Sequence, residues 1–230
     1  MKCETVLLTA SLIVAGGSGE CCSDPAVIAT GDYESRVAVT GDFALVADGY
    51  AGLGVFDIGD PSHPIEVGRI DTPGFAGAVA VVGATALIAD GYHGLRVIDV
   101  GNPESPSEIG VIEYPGWVGG VAVTGSVAIV AAGFGGVRLL DVSLPGSPVE
   151  IGVIDLPGSA REVVVRGTTA WVTNDRRGVC SIDLRDPEQP AVTGCIDLKP
   201  RGAVASDEVE IDGPGFWIDA LVFSPPRIER

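Results

Sequence analysis

Asp90 and Glu162 are the carboxylates with which this chain could do hydrolytic chemistry. A glycoside hydrolase needs two acids held roughly 5–10 Å apart around a pocket. Nothing in the sequence sets this pair apart from the other acids, and no other catalytic signature accompanies it. There is no G-x-S-x-G elbow, no H-E-x-x-H, no phosphate-binding loop, no dinucleotide fingerprint and no D-x-D-x-D-G calcium loop. No cofactor or metal is expected. A different chemistry, recognition, is offered by Tyr50, Tyr92, His93, Trp117, Phe134, Arg161, Asn174, Asp175 and Arg176, because aromatics beside acids and arginines are the usual material of binding surfaces.

These residues stand at chosen places in a repeat. The stretch VAVTGDFALVADGYAGLGVFDIGDPSHPIEVGRIDTP begins at Val37. It recurs from Val79, from Val121 and, more diverged, from Val163, each start 42 residues after the last. A constant period of this size outranks any local assignment. Within the first copy, Val37–Val39 reads as a strand, followed by a Thr40-Gly41-Asp42 turn and a nearly all-apolar strand at Phe43–Ala47. Asp48–Gly52 turns again, Leu53–Ile58 forms a third strand, two prolines in Asp60–Pro64 stop it, and Ile65–Ile70 is the fourth. Four short antiparallel strands per 42 residues describe a β-propeller blade. A β-solenoid is the alternative, but its repeats are usually shorter or carry fewer strands.

The units VAVxGxxAxVADGxxGLxVIDVxxPxxPxxxG, with Leu95-Arg96-Val97-Ile98-Asp99 at their centre and Leu53–Asp57 and Val137–Asp141 as variants, resemble the LVIVD repeat of exported bacterial and archaeal proteins. The resemblance covers about Val37 to Pro200. It implies a propeller fold and a secreted or cell-surface setting, and it implies no activity. Copy four departs most, with Thr173-Asn174-Asp175-Arg176-Arg177 where the others have Ala-Asp-Gly-Tyr or its variants.

Composition agrees with export and sets limits on partners. A formal charge of −17 repels phosphate backbones, so nucleic acid is excluded as an expected partner. The first residues, MKCETVLLTASLIVAGGSGE, carry one Lys, an apolar run from Thr5 to Ala15 too short to span a bilayer, and then small residues. They read as a signal peptide over residues 1–19. A lipid anchor on Cys21 is the second option, disfavoured because Glu20 sits where such processing requires a small residue. Cys180 and Cys195 are nearly symmetric about the Asp186-Pro187 turn, opposite each other across a hairpin, so a disulfide is expected there.

The expected organisation is therefore an all-β single domain over residues 20–230. Its repeats are 37–78, 79–120, 121–162 and 163–204. The two ends, 20–36 and 205–230, together amount to one more repeat and are expected to share a fifth blade that closes the ring. Pro225-Pro226 falls where that blade's third strand should start, which leaves open an incomplete blade or a piece of a longer propeller.

In such a meander the second-to-third turns and the blade-to-blade connections project from one face. That face is expected to carry Asp48, Tyr50, Asp90, Tyr92, His93, Phe134 and Asn174–Arg176 from the turns, and Phe75, Trp117, Arg161 and Glu162 from the connections. Asp57, Asp99, Asp141 and Asp183 recur in all copies and read as turn caps. His93 reads as a solvated turn residue. The function expected is a non-catalytic scaffold binding a protein or glycan through this face; the alternative is a carboxylate-dependent glycoside hydrolase.

Overall fold

The computed structural model describes residues Arg36 to Ile196, together with the backbone of two short strand pairs, Leu7–Thr9 with Leu12–Val14 and Val209–Glu210 with Trp217–Ile218. Apart from those two strand pairs, the expected signal peptide over residues 1–19, the alternative anchor at Cys21 and the expected shared fifth blade lie outside the described residues. Among the described residues no helix is long and apolar enough to cross a membrane.

Four antiparallel four-stranded sheets follow one another, each with its strands in sequence order. Blade one is Arg36–Thr40, Phe43–Ala47, Leu53–Asp57 and Ile65–Ile70. Blade two is Ala78–Val82, Thr85–Ala89, Leu95–Asp99 and Ser107–Ile112. Blade three is Gly120–Thr124, Val127–Ala131, Val137–Asp141 and Val149–Ile154. Blade four is Ala160–Arg166, Thr169–Asn174, Gly178–Asp183 and Ala191–Ile196. The strands expected from turn residues and apolar runs are those found. A bulge absent from that expectation interrupts the pairing of third and fourth strands in every blade.

The second strands are apolar at every position because both of their faces are covered. In blade one Leu45 and Ala47 pack toward blade two, among Ala76, Val79, Ala86, Ile88, Ile98 and Val100. Ala44, Val46 and Phe56 are buried on the opposite side. Blade two repeats the pattern: Ala86 and Ile88 face blade one, while Leu87 and Ala89 join Val121, Ala128 and Val130 of blade three. Ile129, Ala131, Val137 and Leu139 then meet Val163, Ala170, Val172 and Ile182 of blade four. The period of two along a strand thus assigns alternate residues to alternate neighbours. Each large side chain buried this way contributes about 1.5–3 kcal/mol.

A second contact recurs at the outer strands. The turn bounded by two prolines in blade four lies on the outer strand of blade three. A Cβ added to Gly152 would stand 2.5 Å from the Pro187 carbonyl oxygen and 3.1 Å from Pro190 Cδ. Gly68 sits equally close to Pro103 and Pro106 of blade two, whereas Gly110 has nothing nearer than Val97 Cβ at 3.6 Å. Gly152→Ala is therefore expected to destabilise by about 1–3 kcal/mol, since backbone must give way. Gly110→Ala should be neutral or slightly stabilising through the loss of chain entropy in the unfolded state. Urea unfolding of the two variants compares them directly.

Cys180 and Cys195 pair across the hairpin and form the expected disulfide, closing 15 residues. Cys180 is fully buried and Cys195 exposed. Reduction should lower unfolding free energy by about 3 kcal/mol for a loop of this length, read as a shift of the urea midpoint with and without reductant.

Candidate functional site

The two ends of the strands are built differently. At one end the shared aspartates close their own turns: Asp57, Asp99, Asp141 and Asp183 each accept the backbone N–H two residues on, from Gly59, Gly101, Ser143 and Arg185, at 2.8–2.9 Å. These bonds hold the Asp141 and Asp183 carboxyls below the usual carboxylate range, Asp183 chiefly through the Arg185 side chain and Asp141 through the Ser143 backbone. The residue directly after each aspartate ties the same corner down, as where Val100 N–H donates to Ala84 O at 2.8 Å. This is the turn-capping expected of residues common to all copies.

At the other end, the second-to-third turn of each of blades one to three exchanges two backbone bonds with the connection leaving its blade. Gly49 pairs with Ala76, Gly91 with Val118 and Gly133 with Ala160, at 2.9–3.2 Å. Gly91 takes φ +62° there, a conformation that a side chain would disfavour. The connection is held from the other side too. Asp90 of blade two accepts Thr72 Oγ1 at 2.7 Å and Gly74 N–H at 3.0 Å, and faces Arg96 Nε at 3.4 Å. Its relative exposure is 0 %. Asp90 is thus a joint between blades one and two, not the surface residue that the turn pattern suggests, and it presents no open oxygen to a substrate. Glu162, the other candidate acid, is ion-paired with Arg36 at 3.4 Å. Asp48 is largely buried and paired with Arg69.

The repeat carries a matched exchange at this joint. Where Asp becomes Ala132, the residue at the place of Thr72 becomes Tyr114. The Tyr114 ring lies 5.9 Å from the Arg138 guanidinium, and burial pushes its hydroxyl well above the ordinary range. At the next joint the pair is Leu156 and Asn174. Asn174 also departs from expectation. It is 2 % exposed, and its Oδ1 accepts the N–H groups of Arg176 and Arg177 at 2.9 and 3.0 Å. Its carboxamide shapes the turn instead of meeting solvent.

The remaining candidates do share the exposed end. Tyr50, Phe75, Trp117 and Tyr92 form a connected row: Tyr50 meets Phe75 edge-on at 5.1 Å, Phe75 meets Trp117 at 5.8 Å, and Tyr92 meets Trp117 edge-on at 5.2 Å. Phe75 and Trp117 are half-buried in the connections; Tyr50, Tyr92 and Phe134 stand outward, the last two 74 % and 77 % exposed. His93, Arg161, Asp175 and Arg176 are exposed at the same end. Asp175 Oδ1 accepts Ser159 N–H at 2.8 Å. Arg177, equally exposed on that turn, was missing from the residues singled out by sequence; its place opposite Ala51, His93 and Gly135 in the other copies was the available signal.

Comparison with known proteins follows this geometry. The sequence model of the LVIVD repeat matches three times, at residues 31–72, 73–113 and 115–155, more than half of the chain. No curated protein matches. Among solved structures, the computationally designed Ika8 protein superposes with a TM-score of 0.56 at 9% identity, over 80% of this chain and 55% of that one. The β-propeller domain of Myceliophteria thermophila Cps50 (Swd1) gives 0.57 at 11% identity, over 71% and 58%. The designed Ika4 protein gives 0.50 at 11% identity, over 68% of this chain and 96% of that one. The chain therefore spans little more than half the length of Ika8 and of the Cps50 domain. At such identity these likenesses show the fold alone, and the fold is the β-propeller.

The joint at Asp90 is open to test. Removing the carboxylate in Asp90→Ala leaves Thr72 Oγ1 and Gly74 N–H without their acceptor and Arg96 with Glu108 alone, and should cost about 3 kcal/mol at neutral pH, while Asp90→Asn, which can still accept from Gly74, should cost about 1. Burial raises the Asp90 carboxyl above the ordinary range, outweighing the bonds from Thr72 and Gly74 and the charge of Arg96. The folded protein thus keeps this proton to higher pH than the unfolded chain. The contribution is fully present below the unfolded value, about 3.9, and is lost as pH rises through the raised one. Asp90→Asn should lack that loss in unfolding free energies measured across the acid range.

Proposed function

This chain belongs to the LVIVD-repeat family, and on that premise we propose that it is an exported, non-catalytic scaffold that binds a protein or glycan through the face carrying Tyr50, Phe75, Tyr92, Trp117 and Phe134. The observation that carries this reading is the connected aromatic row, held by the blade connections and left partly open to solvent. Aromatic side chains bring a large contact area at small entropic cost, which is why they anchor binding surfaces. Among the described residues, the opposite end, closed by its own aspartates, carries no such row of aromatic rings. The non-catalytic reading is supported by the buried, fully engaged Asp90 and by the pairing of Glu162.

Export, with residues 1–19 as signal peptide and a secreted or cell-surface destination, is supported by the Cys180–Cys195 disulfide, since such bonds persist in oxidising compartments. We read residues 20–36 and 205–230 as the two parts of a fifth blade. Support comes from the far side of blade one, where Ala44, Val46 and Phe56 are buried although no described blade lies there.

The test is binding to a printed panel of neutral glycans, acidic glycans and peptides. Trp117→Ala should weaken whichever interaction is found by about tenfold or more, the scale of a central aromatic anchor. His63→Ala, at the opposite end, should leave it unchanged, and the reverse pattern would sink the assignment of the face.

A further inference from the structure

Nine arginines lie among the described residues, and their pairing is uneven. Arg36, Arg69, Arg96, Arg138 and Arg185 each form an ion pair with an acid, and Arg166 has an interaction of its own. Arg161, Arg176 and Arg177 have no acid partner among the described residues. In a chain of formal charge −17, surplus acids are plentiful, so three unpaired guanidinium groups on one blade call for a physical account.

All three sit at one end of blade four. Arg161 follows Ala160, which pairs with Asn174, and Arg176 and Arg177 belong to the turn that Asn174 caps. All three are exposed. They also break the repeat. Arg161 stands where the other copies have Gly77 and Gly119, Arg176 where they have Tyr50, Tyr92 and Phe134, and Arg177 where they have Ala51, His93 and Gly135. The aromatic positions of blades one to three thus give way, at the same structural place, to a cationic position in blade four. The turn is fixed on both flanks, by Asn174 Oδ1 and by the bond from Ser159 N–H to Asp175 Oδ1. The arginines are presented on ordered backbone.

Resting on the reading of this face as the binding face, we propose that its ligand is an acidic polysaccharide, a chain of uronate sugars, whose rings lie on the aromatic row and whose carboxylates are taken by Arg161, Arg176 and Arg177. Guanidinium groups match carboxylates in a two-bond fork, and aromatic faces take the apolar side of sugar rings. A neutral glycan would leave the arginines without purpose. A globular acidic protein would bring its charge over the whole acidic surface of this chain. A thin chain touches only the one face, and at one charge per sugar ring it carries charge less densely than duplex DNA, which has one per about 1.7 Å of axis.

The full chain is titrated calorimetrically with hexagalacturonate, cellohexaose and hexathymidylate. Hexagalacturonate should bind, with affinity falling about tenfold or more between roughly 0.05 and 0.5 M salt, as expected for exposed charges. The triple variant Arg161→Gln, Arg176→Gln, Arg177→Gln should lose at least a comparable factor while melting at the wild-type temperature. Trp117→Ala should also weaken it. Absence of hexagalacturonate binding, or binding indifferent to salt and to the triple variant, overturns the proposal, as does tighter binding of hexathymidylate. Cellohexaose binding that needs Trp117 but not the arginines overturns it too, and leaves the scaffold reading standing. If none of the three probes binds, this proposal falls, and the scaffold reading is decided by the panel of glycans and peptides.

Discussion

A sheet of four short strands that is apolar on both faces cannot stand alone in water; every blade of this protein exists by virtue of its neighbours. The alternation along the second strands makes this concrete. Leu45 and Ala47 look to blade two while Ala44 and Val46 are buried on the opposite side, and in Ala86–Ala89 and Ala128–Ala131 alternate residues look to alternate neighbours. A repeating unit whose two faces fit one another meets that need, and here its period is 42 residues. The glycines of the outer strands belong to the same constraint, since at Gly68 and Gly152 the next blade's proline turn comes too close for a side chain.

The constraint also divides the molecule into an end that is conserved between copies and an end that varies. Where a turn is closed within its own blade, as by Asp57, Asp99, Asp141 and Asp183, every copy uses the same residue. Where a turn must also receive the connection from a neighbour, the copies differ, but in matched pairs: Thr72 with Asp90, Tyr114 with Ala132, Leu156 with Asn174. The first is a buried carboxylate with its donors; at the equivalent positions the second has a tyrosine and an alanine, and the third a leucine and an asparagine. The joints can change chemistry because each is local. Above them, Tyr92, Phe134, Arg161, Arg176 and Arg177 are exposed, which leaves them available for recognition.

Much of this was legible in sequence. Strand limits followed from turn residues, the disulfide from the symmetry of Cys180 and Cys195 about their hairpin, and the capping aspartates from their recurrence. The burial of Asp90 was not legible, because Asp-Gly at a turn has the same appearance whether the carboxylate bonds its own backbone or reaches 18 residues back to Thr72. Asn174 misled for the related reason that a polar residue at a tip is expected in solvent, yet its oxygen was needed for two N–H groups beneath Arg176 and Arg177. The Arg36–Glu162 pair joins the first blade to the fourth, and a contact between elements so distant in sequence leaves no trace in a period. The bulges in the outer strands, each of which bends its strand by one extra residue, likewise leave no mark in the alternation.

The central claim is that positions common to the copies build the propeller, while positions where they differ, at one end, bind. A crystal structure of the chain with a bound uronate oligosaccharide tests it most directly. The account predicts sugar rings over Trp117 and its aromatic neighbours, with carboxylates against Arg161, Arg176 or Arg177. A ligand seated instead among the Asp57, Asp99, Asp141 and Asp183 turns would contradict it.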